Sequence, residues 1–121
     1  MDDLDFDSDS FADIVAKDTR YDARAYTLLM DVIHYLGKES AGGHMSAEDI
    51  LDEFRCRALD LYGPLSYTVL TEWGLKSCAD IGEMMSNLVE SRRVGRDEGD
   101  TPESFHGGYD FKEVFLGPFA A

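Results

Sequence analysis

The sequence is poor in basic residues, in cysteine and in long apolar runs. It holds 11 Lys and Arg against 25 Asp and Glu, a formal net charge of −14, which argues against a surface that binds nucleic acid or anionic lipid throughout. Only two cysteines, Cys56 and Cys78, occur, and the start Met1-Asp2-Asp3 is not a basic, apolar leader, so we expect reduced thiols and a cytoplasmic protein. No apolar stretch approaches the ~20 residues of a membrane span.

Signatures of catalysis and metal binding are also missing. There is no P-loop, no dinucleotide-binding glycine motif and no metalloprotease helix, and His34, His44 and His106 are not spaced like zinc ligands. His106-Gly107-Gly108 resembles the oxyanion-hole turn of esterases, but no G-x-S-x-G motif supplies a nucleophile, so we interpret it as a turn before a strand. We therefore expect no catalytic residue, no metal and no cofactor. If either thiol reacts, it should be Cys78, which we expect at a helix N-terminus, where the dipole lowers a thiol pKa.

Enough apolar and aromatic residues are present for the chain to fold. Of its 121 residues 44% are hydrophobic, and seven Phe, six Tyr and one Trp are among them, which suits one domain of ordinary size. The first eighteen residues differ, with seven Asp and one Lys among scattered apolar side chains. We expect a mobile acidic arm over residues 1–10, and a single domain over residues 11–121 that begins with a short helix near Phe11.

Apolar residues recur at helical spacing through the middle of the chain. They predict helices over residues 22–38, 46–62, 65–73 and 77–93, and Ser46 with Asp49 and Ser77 with Asp80 resemble capping boxes at two of the starts. Beyond Gly95 the helical period is lost, and residues 109–115 alternate between apolar and charged, as a half-buried strand does. The order predicts a mainly α fold of about five helices with a small C-terminal β-hairpin, most like a winged helix-turn-helix with its wing over residues 92–115. A plain helical bundle is the alternative.

Four segments carry a family resemblance: YDARAY at residues 21–26, Trp73-Gly74, DIGEMMSNLVE at residues 80–90 and FHGGYDF at residues 105–111. They resemble a small family of conserved hypothetical proteins associated with planctomycetes and verrucomicrobia, over about residues 11–115. The family has no assigned activity. The resemblance therefore implies a bacterial cytoplasmic protein and supplies no catalytic residue, and residues 92–98 depart from the more apolar family pattern.

Two acidic surfaces are candidate binding sites. In the arm, Asp5, Phe6 and Asp7 alternate acid with aromatic, as in segments that dock on a basic groove lined with apolar pockets. On the helix over residues 77–93, the solvent side presents two acids and two polar residues, Glu83, Ser86, Asn87 and Glu90. We predict a small acidic adaptor rather than an enzyme, which binds a basic surface of another protein.

A DNA-binding transcriptional regulator is the alternative function. Asn87 would read base edges, and Arg92, Arg93 and Arg96 would contact phosphates from the wing. A different interpretation of these arginines is that they cap a helix C-terminus and pair with Glu90, Asp97 and Glu98.

The C-terminal segment ends in a compact apolar cluster. We expect it to fold back on its own domain. If exposed, Phe115, Leu116 and Phe119 would form a self-association patch.

Overall fold

The computed structural model describes residues 11–39, 46–94 and 102–119, and every regular element in these ranges is a helix. The α-helices are α1 (Ala12–Lys17), α2 (Ala23–Glu39), α3 (Ala47–Tyr62), α4 (Ser66–Glu72), α5 (Cys78–Glu90) and α6 (Phe111–Phe115). Short 3₁₀ turns lie at Gly63–Leu65, Pro102–Phe105 and Gly117–Phe119. The expected helical character is therefore confirmed over these residues.

The predicted C-terminal strand is wrong, because residues 111–115 form α6 instead. Asp110 begins this helix by accepting a hydrogen bond from the backbone N–H of Glu113 at 3.0 Å. Phe111 and Phe115 are both buried, and their four-residue spacing suits one face of a helix as well as one face of a strand. No strand occurs in the part of the chain that the structure describes, so the β-hairpin, the wing over residues 92–115 and the winged helix-turn-helix are corrected. Residues 95–101 lie outside that part.

Two capping boxes fix the starts of α3 and α5, as the sequence indicated. The hydroxyl of Ser46 accepts from the backbone N–H of Asp49 at 3.1 Å, and the carboxylate of Asp49 accepts from the backbone N–H of Ser46 at 3.2 Å. At α5 the carboxylate of Asp80 accepts from the backbone N–H of Ser77 at 3.1 Å. The same carboxylate accepts from the Tyr21 hydroxyl at 2.6 Å, which ties the start of α5 to the segment before α2.

One apolar core joins the three longest helices. α2 packs against α3, and the turn Pro102–Phe105 packs against α5, so the C-terminal segment folds back onto the helices. The largest side chains that are fully buried come from every α-helix except α1 and from the connecting segments: Tyr21, Tyr26, Phe54, Phe105, Phe115, Leu29, Ile50, Leu70, Leu75, Ile81, Met84 and Leu88. α1 adds Ile14 to this core, next to Phe11 at its N-cap. None of the described helices combines the length and the apolar character that crossing a membrane requires.

Candidate functional site: the acidic face between α1 and α5

The outer side of α5 is acidic, as its sequence predicts. The apolar residues Ile81, Met84, Met85 and Leu88 point into the core. Ser86 and Glu90 are exposed, Glu83 has 44% of its side chain exposed and Asn87 is half-buried. The helix contains Asp80, Glu83 and Glu90 and no basic residue. No side chain of α5 therefore neutralises these three carboxylates.

Asn87, a predicted site residue on this helix, makes a structural bridge. Its amide nitrogen donates to Oδ2 of Asp18 at 3.0 Å and to the hydroxyl oxygen of Tyr26 at 2.9 Å. Tyr26 is fully buried on α2, and Asp18 ends α1. Asn87 thus holds α5, α2 and the end of α1 together, a role that its sequence position did not indicate.

Asp18 is strongly held in its ionised form. The Arg20 guanidinium donates to both of its carboxylate oxygens, from Nε at 2.9 Å and from Nη2 at 2.7 Å. These bonds, together with the one from Asn87, hold the pKa of Asp18 well below its usual range despite some desolvation. Arg20 also reaches Oε1 of Glu83 at 3.4 Å, so one arginine serves two carboxylates.

A cavity of about 350 Å³ lies between α1 and α5. Its lining joins three carboxylates and one ammonium group with neighbouring apolar and polar side chains: Asp13, Ile14, Lys17, Asp18, Asn87, Glu90 and Ser91. Within the described ranges, Glu90 forms no ion pair. Glu90 is therefore the carboxylate here that is open to a cation from outside, with Glu83 on the same face of α5 two turns earlier. We call this surface, formed by Asp13, Asp18, Glu83 and Glu90, the acidic face.

Four arginines are neutralised within the chain by one repeated arrangement. Each pairs with a carboxylate and places its guanidinium over an aromatic ring: Arg20 with Asp18 and Tyr21, Arg24 with Asp22 and Trp73, Arg57 with Glu53 and Tyr35, and Arg93 with Asp13 and Phe11. Acids far outnumber bases in the sequence. These pairs therefore neutralise four of the arginines, and more carboxylates remain than basic side chains that could pair with them.

Two residues of the predicted arginine cluster, Arg92 and Arg93, lie in the described part of the chain. Arg93 donates to both carboxylate oxygens of Asp13 on α1, at 2.8 and 3.2 Å. Arg92 is exposed and has a positive φ of 66°. The backbone N–H groups of Arg92 and Arg93 donate to the carbonyls of Val89 and Leu88, both at 3.0 Å, which is the Schellman ending of a helix with arginine where glycine is usual. Arg96, Asp97 and Glu98 lie outside the described residues.

Asp13 and Asp18 were missed as site residues from the sequence alone. The Asp13–Arg93 pair spans 80 positions, and no local pattern signals a contact at that separation. For Asp18, the nearby Arg20 was a usable signal, because a carboxylate two residues before an arginine can pair with it in a turn. The arm residues Asp5, Phe6 and Asp7 lie outside the described residues, so that candidate site stays a prediction.

A second cavity, of about 340 Å³, lies at the start of α3. It is lined by Glu48, Leu51, Asp52, Ser104, His106, Gly107, Gly108 and Tyr109. Gly107 has φ +76°, as the turn interpretation of His106-Gly107-Gly108 requires, although α6 rather than a strand follows. No group of three or more His, Cys, Asp or Glu residues that could hold a metal ion is found in the described ranges.

Cys78, which we named as the thiol to react if either does, is buried. It is the first residue of α5, but its sulfur lies under the C-terminal segment and accepts from the backbone N–H of Tyr109 at 3.3 Å. Burial raises the pKa of the Cys78 thiol, and this outweighs the lowering expected at a helix N-terminus. Both cysteines are free thiols, and Cys56 is the exposed one.

The apolar C-terminal cluster divides into a buried and an exposed part. Phe115 is fully buried, so it is not available to a second copy. Leu116 and Phe119 are 37% and 43% exposed. Self-association through Leu116 and Phe119 stays a prediction.

We compared the chain with protein-family models, with curated proteins and with solved structures, and none of the three comparisons gives a match.

Proposed function

We propose that this protein is a small interaction module whose acidic face binds a basic surface of another protein. The observation that carries the proposal is Glu90, an exposed carboxylate that lines the cavity between α1 and α5 and forms no ion pair within the described ranges. Exposed carboxylates at such a face attract and orient a basic partner more than they add affinity, because charge complementarity mainly raises the association rate and excludes wrong partners.

The distribution of charge over the chain supports this function. Arg20 and Arg93 already pair with Asp18 and Asp13, and no base lies on α5. A cationic side chain that approaches Glu90 therefore meets no competing base from this helix, whereas at Glu83 it meets Arg20, which lies 3.4 Å from Oε1. The proposal places the module in the cytoplasm of a bacterium, in line with the family resemblance and with two free thiols in the described residues.

The DNA-binding alternative has no observation that favours it. Arg93 is engaged by Asp13, and Asn87 is engaged by Asp18 and Tyr26. A phosphate backbone beside Glu83 and Glu90 would face charge of its own sign. A mobility shift with duplex DNA at low salt tests this alternative, and we expect no shift.

Binding of a basic peptide tests the proposed function. We expect a fluorescent arginine-rich peptide to bind the wild type at low salt, with an affinity that falls as salt is added. The double change Glu83→Gln with Glu90→Gln should weaken binding several-fold, since exposed pairs contribute about 0.2–1 kcal/mol each. Fluorescence anisotropy measures both effects.

A matched control removes the same charge at another place. Asp60 on α3 and Glu72 on α4 are both exposed, and the double change Asp60→Asn with Glu72→Gln leaves the acidic face intact. We expect this variant to bind within about two-fold of the wild type. An equal loss in both double variants would show that net charge, and not the acidic face, attracts the peptide.

A further inference from the structure

The contact between Arg93 and α1 suggests how the acidic face is regulated. Arg93 follows α5 in the chain and reaches back to Asp13 with both terminal nitrogens of its guanidinium, at 2.8 and 3.2 Å. The guanidinium also lies over the ring of Phe11, 5.5 Å from its centre. A two-pronged bond to a carboxylate together with an aromatic face is the setting that an arginine side chain favours and that a lysine cannot reproduce.

The position of this contact matters because Asp13 also lines the cavity of the acidic face. While Arg93 is bound, the charge of Asp13 is neutralised and the ring of Phe11, which is itself buried, has a guanidinium against it. The Arg93 guanidinium holds the pKa of Asp13 below its usual range. Arg93 is 27% exposed in its side chain and Asp13 is 64% exposed, so solvent and an incoming group can reach the pair.

We propose that Arg93 is an internal competitor that occupies the place of a partner's arginine on Asp13 and Phe11. This inference rests on the proposed function and names the group that the acidic face recognises, a guanidinium. A partner arginine that binds Asp13 displaces Arg93. The internal contact therefore lowers the affinity of the acidic face for every basic partner. Partners that also bind Glu90 offset this loss, so the contact selects for them.

Two single variants separate this competition from the general effect of charge. Arg93→Ala removes the competitor. Arg92→Ala removes the same charge from the adjacent residue, which is exposed and forms no ion pair with the described residues. We expect Arg93→Ala to bind an arginine-rich peptide a few-fold more tightly than Arg92→Ala does, and the difference to be smaller with a lysine peptide of equal charge. Equal affinities of the two variants would overturn the competition.

Two further variants and hydrogen exchange test whether the change in affinity comes instead from a loosened α1. Arg93→Lys keeps the charge but loses the two-pronged bond, and we expect it to change affinity in the same direction as Arg93→Ala. Hydrogen exchange at the amides of Val15 and Asp18, which bond to the carbonyls of Phe11 and Ile14 at 2.9 and 2.8 Å, shows whether α1 is retained. In an Asp13→Asn background, Arg93→Ala should no longer bind more tightly than Arg92→Ala does, and a difference that persists there would also overturn the inference.

Failure of the inference and failure of the proposed function are distinguishable. If the wild type binds the arginine peptide and the Arg92 and Arg93 variants do not differ, the competition is wrong and the proposed function stands. If neither the wild type nor any of these variants binds at low salt, both are wrong.

Discussion

Replacement of Asn87 by alanine is expected to destabilise the protein by about 2 kcal/mol. Asn87 donates one hydrogen bond to ionised Asp18 and one to the hydroxyl of Tyr26. A hydrogen bond to a charged group contributes about 1.5–3 kcal/mol and a neutral one about 0.5–1.5 kcal/mol. We take the lower end of these ranges, because Asn87 is half-buried and Arg20 keeps Asp18 paired in the variant.

Urea unfolding followed by circular dichroism measures this effect, with Ser86→Ala as the matched control. Ser86 is the neighbouring residue on α5 and is exposed, so its replacement should change the free energy of unfolding by less than about 0.5 kcal/mol. The dependence on urea should keep the same slope in both variants, which shows that the amount of surface exposed on unfolding has not changed. An Asn87→Ala protein as stable as Ser86→Ala would refute the reasoning that Asn87 is a structural bridge. Asn87 would then stay a predicted partner-binding residue.

Three further changes have outcomes that follow from the described contacts. Gly74→Ala should cost more than about 3 kcal/mol, because Gly74 has φ +98° and an added Cβ would overlap the carbonyl oxygen of Arg20; a thermal unfolding midpoint close to that of the wild type would contradict this. Arg92→Gly should stabilise the protein by about 0.5–1 kcal/mol, since a non-glycine residue at positive φ costs about 1–2 kcal/mol and the freedom of glycine in the unfolded chain returns about 0.5–1 kcal/mol; urea unfolding in which Arg92→Gly is the less stable protein would show that the Arg92 side chain makes a compensating contact. Asp18→Asn should make the free energy of unfolding depend less on pH at acid pH. The pKa of Asp18 is lowered by folding, so ionised Asp18 stabilises the folded protein above its ordinary pKa of 3.8, and this stabilisation is lost as pH falls below 3.8. Urea midpoints measured between pH 7 and pH 3 check this, and equal losses of stability in the wild type and in Asp18→Asn would count against it.

The helices of the middle of the chain were predictable because their signals are local. Apolar spacing located α2, α3, α4 and α5, and the pairs Ser46 with Asp49 and Ser77 with Asp80 located two of the starts within a residue. Both kinds of signal act over one or two turns, where sequence distance and spatial distance agree.

The C-terminal segment was mispredicted because its pattern fits two structures. Residues 109, 111 and 115 are all aromatic; a strand would place all three on one face, and a helix places Phe111 and Phe115 on one face. The choice is made by Asp110, which caps α6, and by the burial of Phe111 and Phe115 against the rest of the core. Tertiary contacts of this kind override a short alternating pattern.

The candidate site was half predictable. Glu83 and Glu90 followed from the helical face of α5, which is a local property. Asp13 joined them only because α1 lies beside a helix that begins more than sixty residues later in the chain. The burial of Cys78 was equally out of reach of local patterns, because the segment that covers it comes thirty-one residues later.

Mapping of the bound peptide by NMR tests the central claim most directly. Amide chemical shifts of labelled protein are followed while an unlabelled arginine-rich peptide is added at low salt. The proposal predicts that the largest shifts lie on α1 and on α5 from Glu83 to Ser91, together with Arg93. Shifts concentrated at the second cavity, around Glu48, Asp52 and His106, or spread evenly over all exposed acids, would contradict the assignment of the acidic face as the binding site.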